Sequence, residues 1–421
     1  MSFMRALLRH IPAGNLAKDT LYVAFWQGVR VAGQALWVIV IARILGAKGY
    51  GTFTGMVGLA TAIGGFTGLG LGLLMLQDAA RDPSLFADRW YKALIACLAS
   101  GTILGVLFIP ISGWLFNSYA AWHLGVPIAL SEIALLPIVS LAAFAFSARQ
   151  LMSIAAALSA LMASFRVLAA LAFWCFVNQR TLETYAWLHA CASLMCAALC
   201  VLWVKMRLHP GRTSFTLTRR DVTEGLGFSM VWMVNNALAS LDKTLVLRLA
   251  TSEVAGFYAA FYRFATVLAL PVEALTMAAG PRLFRHGGGV EKHPLLIVHL
   301  LTSALVCGLL MGAFFWAFAG ILPWLLGPTF EPAVPVARWM ALFVPCYGLR
   351  VLGSNILITH DKKRIRVLIE GCGLVTLILT AVLWIPHYGL RGAVAMITTT
   401  EAALGVATWL VVWALQKKQS T

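Results

Sequence analysis

The sequence predicts an all-α integral membrane protein of about twelve transmembrane helices, and three observations carry that prediction. Of its 421 residues, 61% are hydrophobic and only 11% charged, with a mean hydropathy of +0.85. Soluble globular chains hold about 25% charged residues, so this one lacks the charge to cover a water-facing surface. Its apolar residues also come in long unbroken runs. Barrel strands would alternate apolar and polar residues over about 10 positions, whereas a helix crossing a bilayer needs about 20 apolar residues in a row. Finally, the 32 Lys and Arg gather in alternate connections, the signature of a threaded membrane protein.

Taken in order, the runs place spans at roughly 19–45, 51–76, 91–112, 124–146, 149–177, 184–204, 225–249, 254–280, 295–322, 333–358, 365–386 and 389–415. The third and fourth are separated at Trp114–His123, and the fourth contains Pro127 and Pro137, which membrane helices tolerate where neighbours satisfy the freed backbone groups. With the N-terminus placed in the cytoplasm, about two thirds of the Lys and Arg fall on the cytoplasmic side, so both termini are expected there. The net charge of +16 is mostly this topology signal, and anionic lipid headgroups reinforce it. The basic residues are spread over several loops, which argues against a nucleic-acid partner. The opening "MSFMRALLRHIPAGNLAKDT" reads as a short amphipathic lead-in to an uncleaved first helix. The run behind it is too long for a signal-peptide core.

Several chemistries find no footing. All eight Cys lie in apolar runs without a CxxC pair, as small hydrophobes at helix contacts would. The nine His form no HExxH or other dense ligand cluster, so no metal and no cofactor is expected. His189 and His299 lie near span ends and read either as wetted imidazoles or as a proton relay. Connections are short and carry neither a Walker loop nor a nucleophile motif, so an enzyme is not expected.

The chain reads as built twice. "RILGAKGYGTF" (Arg43–Phe53) aligns with "RLATSEVAGFY" (Arg248–Tyr258) at an offset of 205, matching Arg43 to Arg248, Gly51 to Gly256 and Phe53 to Tyr258. That offset is close to half the chain, and six spans per half give both halves one orientation. Parallel repeats of this kind build transporter lobes that rock about a central site. The expected organisation is an N-terminal six-helix lobe over 1–204, a cytoplasmic linker over 205–223 and a C-terminal six-helix lobe over 224–421.

The segments "ARILGAKGYGTF", "SLDKTLVLRLATSEVAGFYAAFYR" and "HYGLRGAVAM" fall at the first–second, seventh–eighth and eleventh–twelfth span junctions. In that order they resemble the polysaccharide, or O-antigen, flippases of the multidrug/oligosaccharidyl-lipid/polysaccharide (MOP) exporter superfamily. The resemblance spans essentially the whole chain. It implies two MATE-like six-helix lobes in the bacterial inner membrane. Its function would be alternating-access transport of an undecaprenyl-pyrophosphate-linked oligosaccharide from the cytoplasmic to the periplasmic leaflet, for O-antigen, lipopolysaccharide or exopolysaccharide biosynthesis. Pathway partners would be a polysaccharide polymerase and glycosyltransferases. It further implies basic residues of helices 1 and 8 in the cavity, which fits Arg30 and Arg263. Related lipid flippases also use a basic residue in helix 2, and "GTFTGMVGLATAIGGFTGLGLGLL" has none.

Spacing adds candidates of its own. A basic side chain near the bilayer centre costs about 2.5–3.5 kcal/mol or more, so it should face a wet cavity or a partner. Gln27, Arg30 and Gln34 share one face of helix 1, with Arg30 roughly 16 Å along it. Tyr258, Tyr262 and Thr266 line a face of helix 8 beside Arg263. Asn235 shares a face of helix 7 with Asp242, and Asn236 with Lys243. An arginine-lined cavity would replace the hydration of a pyrophosphate by charge-assisted contacts. Arg166 and Arg350 read either as snorkelling to an interface or as pairing with a carboxylate such as Glu132 or Glu370. Asp242 and Lys243 read as a structural pair or outer gate, and Glu273 and Glu401 as coupling carboxylates or ion-pair partners; the coupling ion, H+ or Na+, stays open. Two other functions are consistent with so apolar a chain. One is a MATE-like multidrug antiporter. The other is a membrane-embedded polysaccharide polymerase or ligase, which would need a large outward loop.

Overall fold

The computed structural model describes residues 15–117, 119–211, 218–276, 294–359 and 363–417. Residues 1–14 of the amphipathic lead-in, 118, 212–217 of the linker, the connector 277–293, 360–362 and 418–421 of the tail lie outside the described residues. Among the described residues nearly every element is helical and none is a strand. Nine of these helices are long and apolar enough to cross a membrane, and a further candidate is a pair, Ser252–Leu268 and Leu270–Thr276, bent by 41°.

Two features reconcile these helices with the predicted twelve. Helix α1 (Asn15–Gly64) holds the first two spans in one run that breaks at Gly46, with φ 65° and ψ 179°. That conformation is open essentially to glycine alone. The seventh span is helix α8 (Arg219–Leu249) beyond its first turns, where Asn235, Asn236, Asp242, Lys243 and Arg248 interrupt the apolar residues.

The second span breaks again. Past Gly64 the chain makes a short 3-10 turn over Thr67–Gly70, with Gly68, Leu69 and Gly70 all at positive φ, before helix α2 (Leu71–Arg81). The break is satisfied locally: the Gly68 N–H donates to Ser100 Oγ at 2.8 Å, and Thr67 Oγ1 donates to the Ile133 carbonyl at 2.9 Å. Helix α3 (Phe86–Phe116) is the third span. The fourth is composite: α4 (Tyr119–Ile128), a π-helical turn over Ala129–Leu135, then α5 (Leu136–Ala148), with Pro137 in its first turn. Helices α6 (Met152–Phe176) and α7 (Leu182–Leu208) follow. Beyond α8 come α9 (Ser252–Leu268), α10 (Pro294–Phe318), α11 (Phe343–Thr359), α12 (Lys363–Tyr388) and α13 (Leu390–Lys417). The predicted span at 333–358 starts as short 3-10 and α pieces around Pro328, Pro332 and Pro335, because proline removes the N–H that a regular helix needs.

By contact the chain forms two compact units. One comprises Met1–Trp37, Ile63–Gly113 and Ser118–Trp232; the other comprises Val38–Ala62, Trp114–Asn117 and Met233–Thr421. Each draws helices from both halves of the sequence. The division into six-helix lobes at 205–223 follows the sequence repeat, and we retain it as a proposal. The first unit buries Leu74, Met75, Trp90, Phe146, Leu158 and Cys200 around α2, α3 and α5–α7. The second buries Val272, Ile297, Leu352, Ile356 and Trp409. In lipid, such packing is held by van der Waals contact between closely approaching backbones.

That closeness peaks where the two repeat segments meet. A Cβ on Gly51 would fall 1.9 Å from the Ser252 carbonyl oxygen, and one on Gly256 would fall 2.0 Å from that of Ala47. The glycines matched by the internal alignment thus lie at one backbone crossing. Thr244 Oγ1 donates to the Gly55 carbonyl at 2.8 Å further along.

Candidate functional site

Polar side chains within the spans gather into one cluster per unit. In the first unit, the π turn projects Glu132 inward, where it is 2% exposed. A π turn shifts the register of a helix and so re-aims a side chain, often at a functional position. Glu132 Oε1 accepts from Arg166 Nη2 at 2.6 Å and lies 3.0 Å from His189 Nε2. His189 Nδ1 lies 3.3 Å from the Tyr185 hydroxyl, which accepts from Trp37 Nε1 on α1. His189 is therefore buried, not wetted at a span end, because Glu132 and Tyr185 enclose its ring. Arg30 lies elsewhere in this unit: its Nε donates to Gln27 Oε1 at 2.8 Å, on the helix face shared with Gln34.

In the second unit, Asp242 is fully buried. It accepts from Tyr258 Oη at 2.6 Å and from Lys243 Nζ at 2.9 Å. The ammonium of Lys243 sits 4.1 Å from the Tyr262 ring centroid, close enough for a cation–π contact. From there a row of rings runs Tyr258, Tyr262, Phe343, Tyr347, with successive centroids 5.9, 5.2 and 5.4 Å apart. The Arg350 guanidinium lies 5.1 Å from the last ring and pairs through Nε with Glu401, while Tyr347 Oη donates to Glu273 Oε1 at 2.8 Å. Of the sequence candidates, this unit therefore joins Asp242, Lys243, Tyr258, Tyr262, Glu273, Arg350 and Glu401. Arg350 takes Glu401 rather than Glu370, which Arg366 holds one turn away. Arg263 is half-buried on α9, and Asn235 and Asn236 are half-buried on α8. Tyr347 and Phe343 escaped the sequence reading. Only the i, i+4 spacing of two aromatics inside "FVPCYGLR" signals them.

A third group lies at the end of the first unit that carries the connection between α2 and α3. Arg89 binds Asp78 at 2.8 Å and also Asp221; Lys92 binds Asp88 at 2.8 Å and reaches Asp221 at 3.6 Å. Asp221 also closes a reciprocal cap on α8: its carboxylate accepts from the Thr218 N–H at 3.0 Å, and its own N–H donates to Thr218 Oγ1 at 3.2 Å, the capping-box arrangement. Burial pushes the Asp221 carboxyl up, but Thr218 and Arg89 outweigh it and bring its pKa to about 2. Among the described residues, no group of His, Cys, Asp and Glu could hold a metal ion.

The sequence of this helical bundle with its buried ion pairs matches a known family. A family model described as "Polysaccharide biosynthesis protein" matches residues 16–286. The chain belongs to that family. Solved structures extend the likeness to the whole fold. An inward-facing multidrug resistance MATE family transporter of the MOP superfamily aligns at a TM-score of 0.74 and 14% identity, covering 94% of this chain and 95% of that one. An outward-facing structure with the same description gives 0.64 at 16% identity, with 97% of each chain covered. A MOP superfamily transporter from Pyrococcus furiosus, described as having a binding pocket of reverse polarity, gives 0.62 at 15%, covering 96% and 95%. No protein with a curated description matches the sequence. This member of the polysaccharide biosynthesis family is thus a multi-pass membrane protein with the MOP transporter fold. Its fold is the one that those transporters share.

Proposed function

We propose that the protein flips a lipid-linked oligosaccharide, carried on undecaprenyl pyrophosphate, from the cytoplasmic to the periplasmic leaflet of a bacterial inner membrane by alternating access. One observation carries this reading: a polysaccharide biosynthesis family chain is built on a transporter fold from residue 16 onward. A biosynthetic family needs a transporter where its intermediate is made on one side of a membrane and used on the other. The membrane-anchored intermediate of polysaccharide assembly is such a cargo. Its pyrophosphate is a compact anion whose passage through hydrocarbon would be prohibitive unaided. Arg30, Arg166, Arg263, Lys243 and Arg350 are the basic candidates for it among the described spans, Arg166, Lys243 and Arg350 each already holding a carboxylate. Gln27, Gln34, Asn235, Asn236 and the tyrosines would supply hydrogen bonds to sugars. Polymerase and glycosyltransferases of the same pathway would supply and consume the cargo.

The test is a deletion strain complemented with variants. Arg30→Ala and Arg263→Ala are expected to abolish surface polysaccharide and to leave lipid-linked units accumulating in the inner leaflet, with membrane levels of protein unchanged. Full polymer yield in both single variants and the double variant would remove these residues from the site. The MATE-like folds favour a second reading, a multidrug antiporter. Efflux of cationic dyes that is lost on deletion, with polysaccharide intact, would establish it instead.

A further inference from the structure

We infer that residues 65–70 are a hinge within the second span, and that the Asp221-centred ion network is the latch that holds it shut. Three observations converge. First, the span is not continuous: Gly68, Leu69 and Gly70 take left-handed backbone angles in succession (φ 78°, 49° and 69°). Leu69 is the telling member, since its side chain makes that region unfavourable and only the surrounding packing keeps it there. Second, the break is the surface on which α8 docks. A Cβ on Gly70 would fall 2.1 Å from the Gly225 carbonyl oxygen, and one on Gly225 would fall 2.5 Å from that of Leu69. Backbone meets backbone here, with the Leu71 side chain alongside at 3.1 Å from where a Gly225 Cβ would stand, so few side chains interlock across the contact.

Third, one helical turn before Gly225, on the same face of α8, stands Asp221. It is 1% exposed and gripped by Arg89 and Lys92 from α3, while Arg89 also holds Asp78 at the far end of α2. Asp221 thus ties α8 to α3, and Arg89 carries the tie on to α2 through Asp78. Capping α8 requires only the Thr218 side of that carboxylate; the two cations serve something further. With the latch closed, α2 and the first turns of α8 are fixed against α3. With it released, α2 swings about 65–70, and this end of the first unit opens. The inference rests on the reading of this chain as a transporter, but not on its cargo.

Cys97 is a native reporter. It is 3% exposed, and its Sγ lies 2.5 Å from where a Gly68 Cβ would stand. In a variant keeping Cys97 alone among the eight Cys, labelling by a water-soluble maleimide in membranes is expected to be slow. Asp221→Asn keeps an acceptor for the Thr218 N–H and loses the ionic grip; it and Arg89→Gln are expected to raise the labelling rate tenfold or more. Arg89→Lys, which keeps the charge but not the forked contact, is expected to give a smaller rise, and Asp221→Glu little change. The control retains only Cys200, which is fully buried in the same core. Unchanged Cys97 labelling in every variant would overturn the latch. So would a Cys200 rate that climbs in step with Cys97, because the bundle would then be loosening as a whole. No transport is measured, so failure here leaves the cargo assignment standing, and failure of that assignment leaves this one.

Discussion

Glu132 shows how one residue decides a local structure. Its carboxylate serves both Arg166 and His189 in a nearly dry setting, with side-chain exposures of 2%, 21% and 2%. Removing one partner of a buried pair leaves the other charge uncompensated, at a cost of about 3–5 kcal/mol. Glu132→Ala is therefore expected to lower the thermal midpoint in detergent sharply, and Glu132→Ala/Arg166→Met to recover much of the loss. Asp221 makes a second residue-scale prediction through pH. Its folded pKa of about 2 lies below the unfolded carboxylate value, so its contribution is complete above roughly pH 5 and fades as pH falls through about 2. A thermal-midpoint series from pH 6 to 2 should fall for the native chain and fall less for Asp221→Asn. Equal slopes would show that Asp221 carries none of the acid sensitivity.

At the scale of elements, glycine sets how near helices come. Gly51 and Gly256 sit where a Cβ would strike a carbonyl, so either substitution by alanine must push two helices apart. Overpacking of this kind costs about 1–3 kcal/mol. Gly51→Ala and Gly256→Ala are each expected to lower the thermal midpoint. Gly28→Ala, where the new Cβ would meet nothing within 4 Å, is expected to leave it unchanged. Equal midpoints in all three variants would show that the crossing tolerates a methyl group. The GxxxG spacing of Gly51 and Gly55 was visible in the sequence. Their partners on α8 and α9 were not, because the spacing describes one helix face and says nothing of what packs upon it.

For the whole molecule, the fold class, the helix order and the family follow from hydropathy, charge placement and three junction motifs. Proline could announce some of the breaks: Pro328, Pro332 and Pro335 mark the irregular start of the 333–358 span, and Pro127 and Pro137 flank the π turn of the fourth. Charge is where the molecule departs most from a simple count. Arg89 and Lys92 count in sequence only as topology signals, yet with Asp221 they form a network across α3 and α8. At this scale the prediction concerns the pathway: deletion should stop surface polymer while lipid-linked repeat units, extracted and resolved by mass, accumulate. Their absence would remove the protein from that step.

The sequence by itself determined the solvent, the secondary structure and the order of spans. These depend on local quantities: run length, backbone satisfaction in hydrocarbon, and which connections carry Lys and Arg. Tertiary structure alone decided the partners. Whether Arg350 meets Glu401 or Glu370, whether His189 is dry, and whether Asp221 merely caps a helix or also binds Arg89 depend on contacts between residues far apart in the chain. Helical periodicity gives each side chain a face. Only packing determines what that face meets.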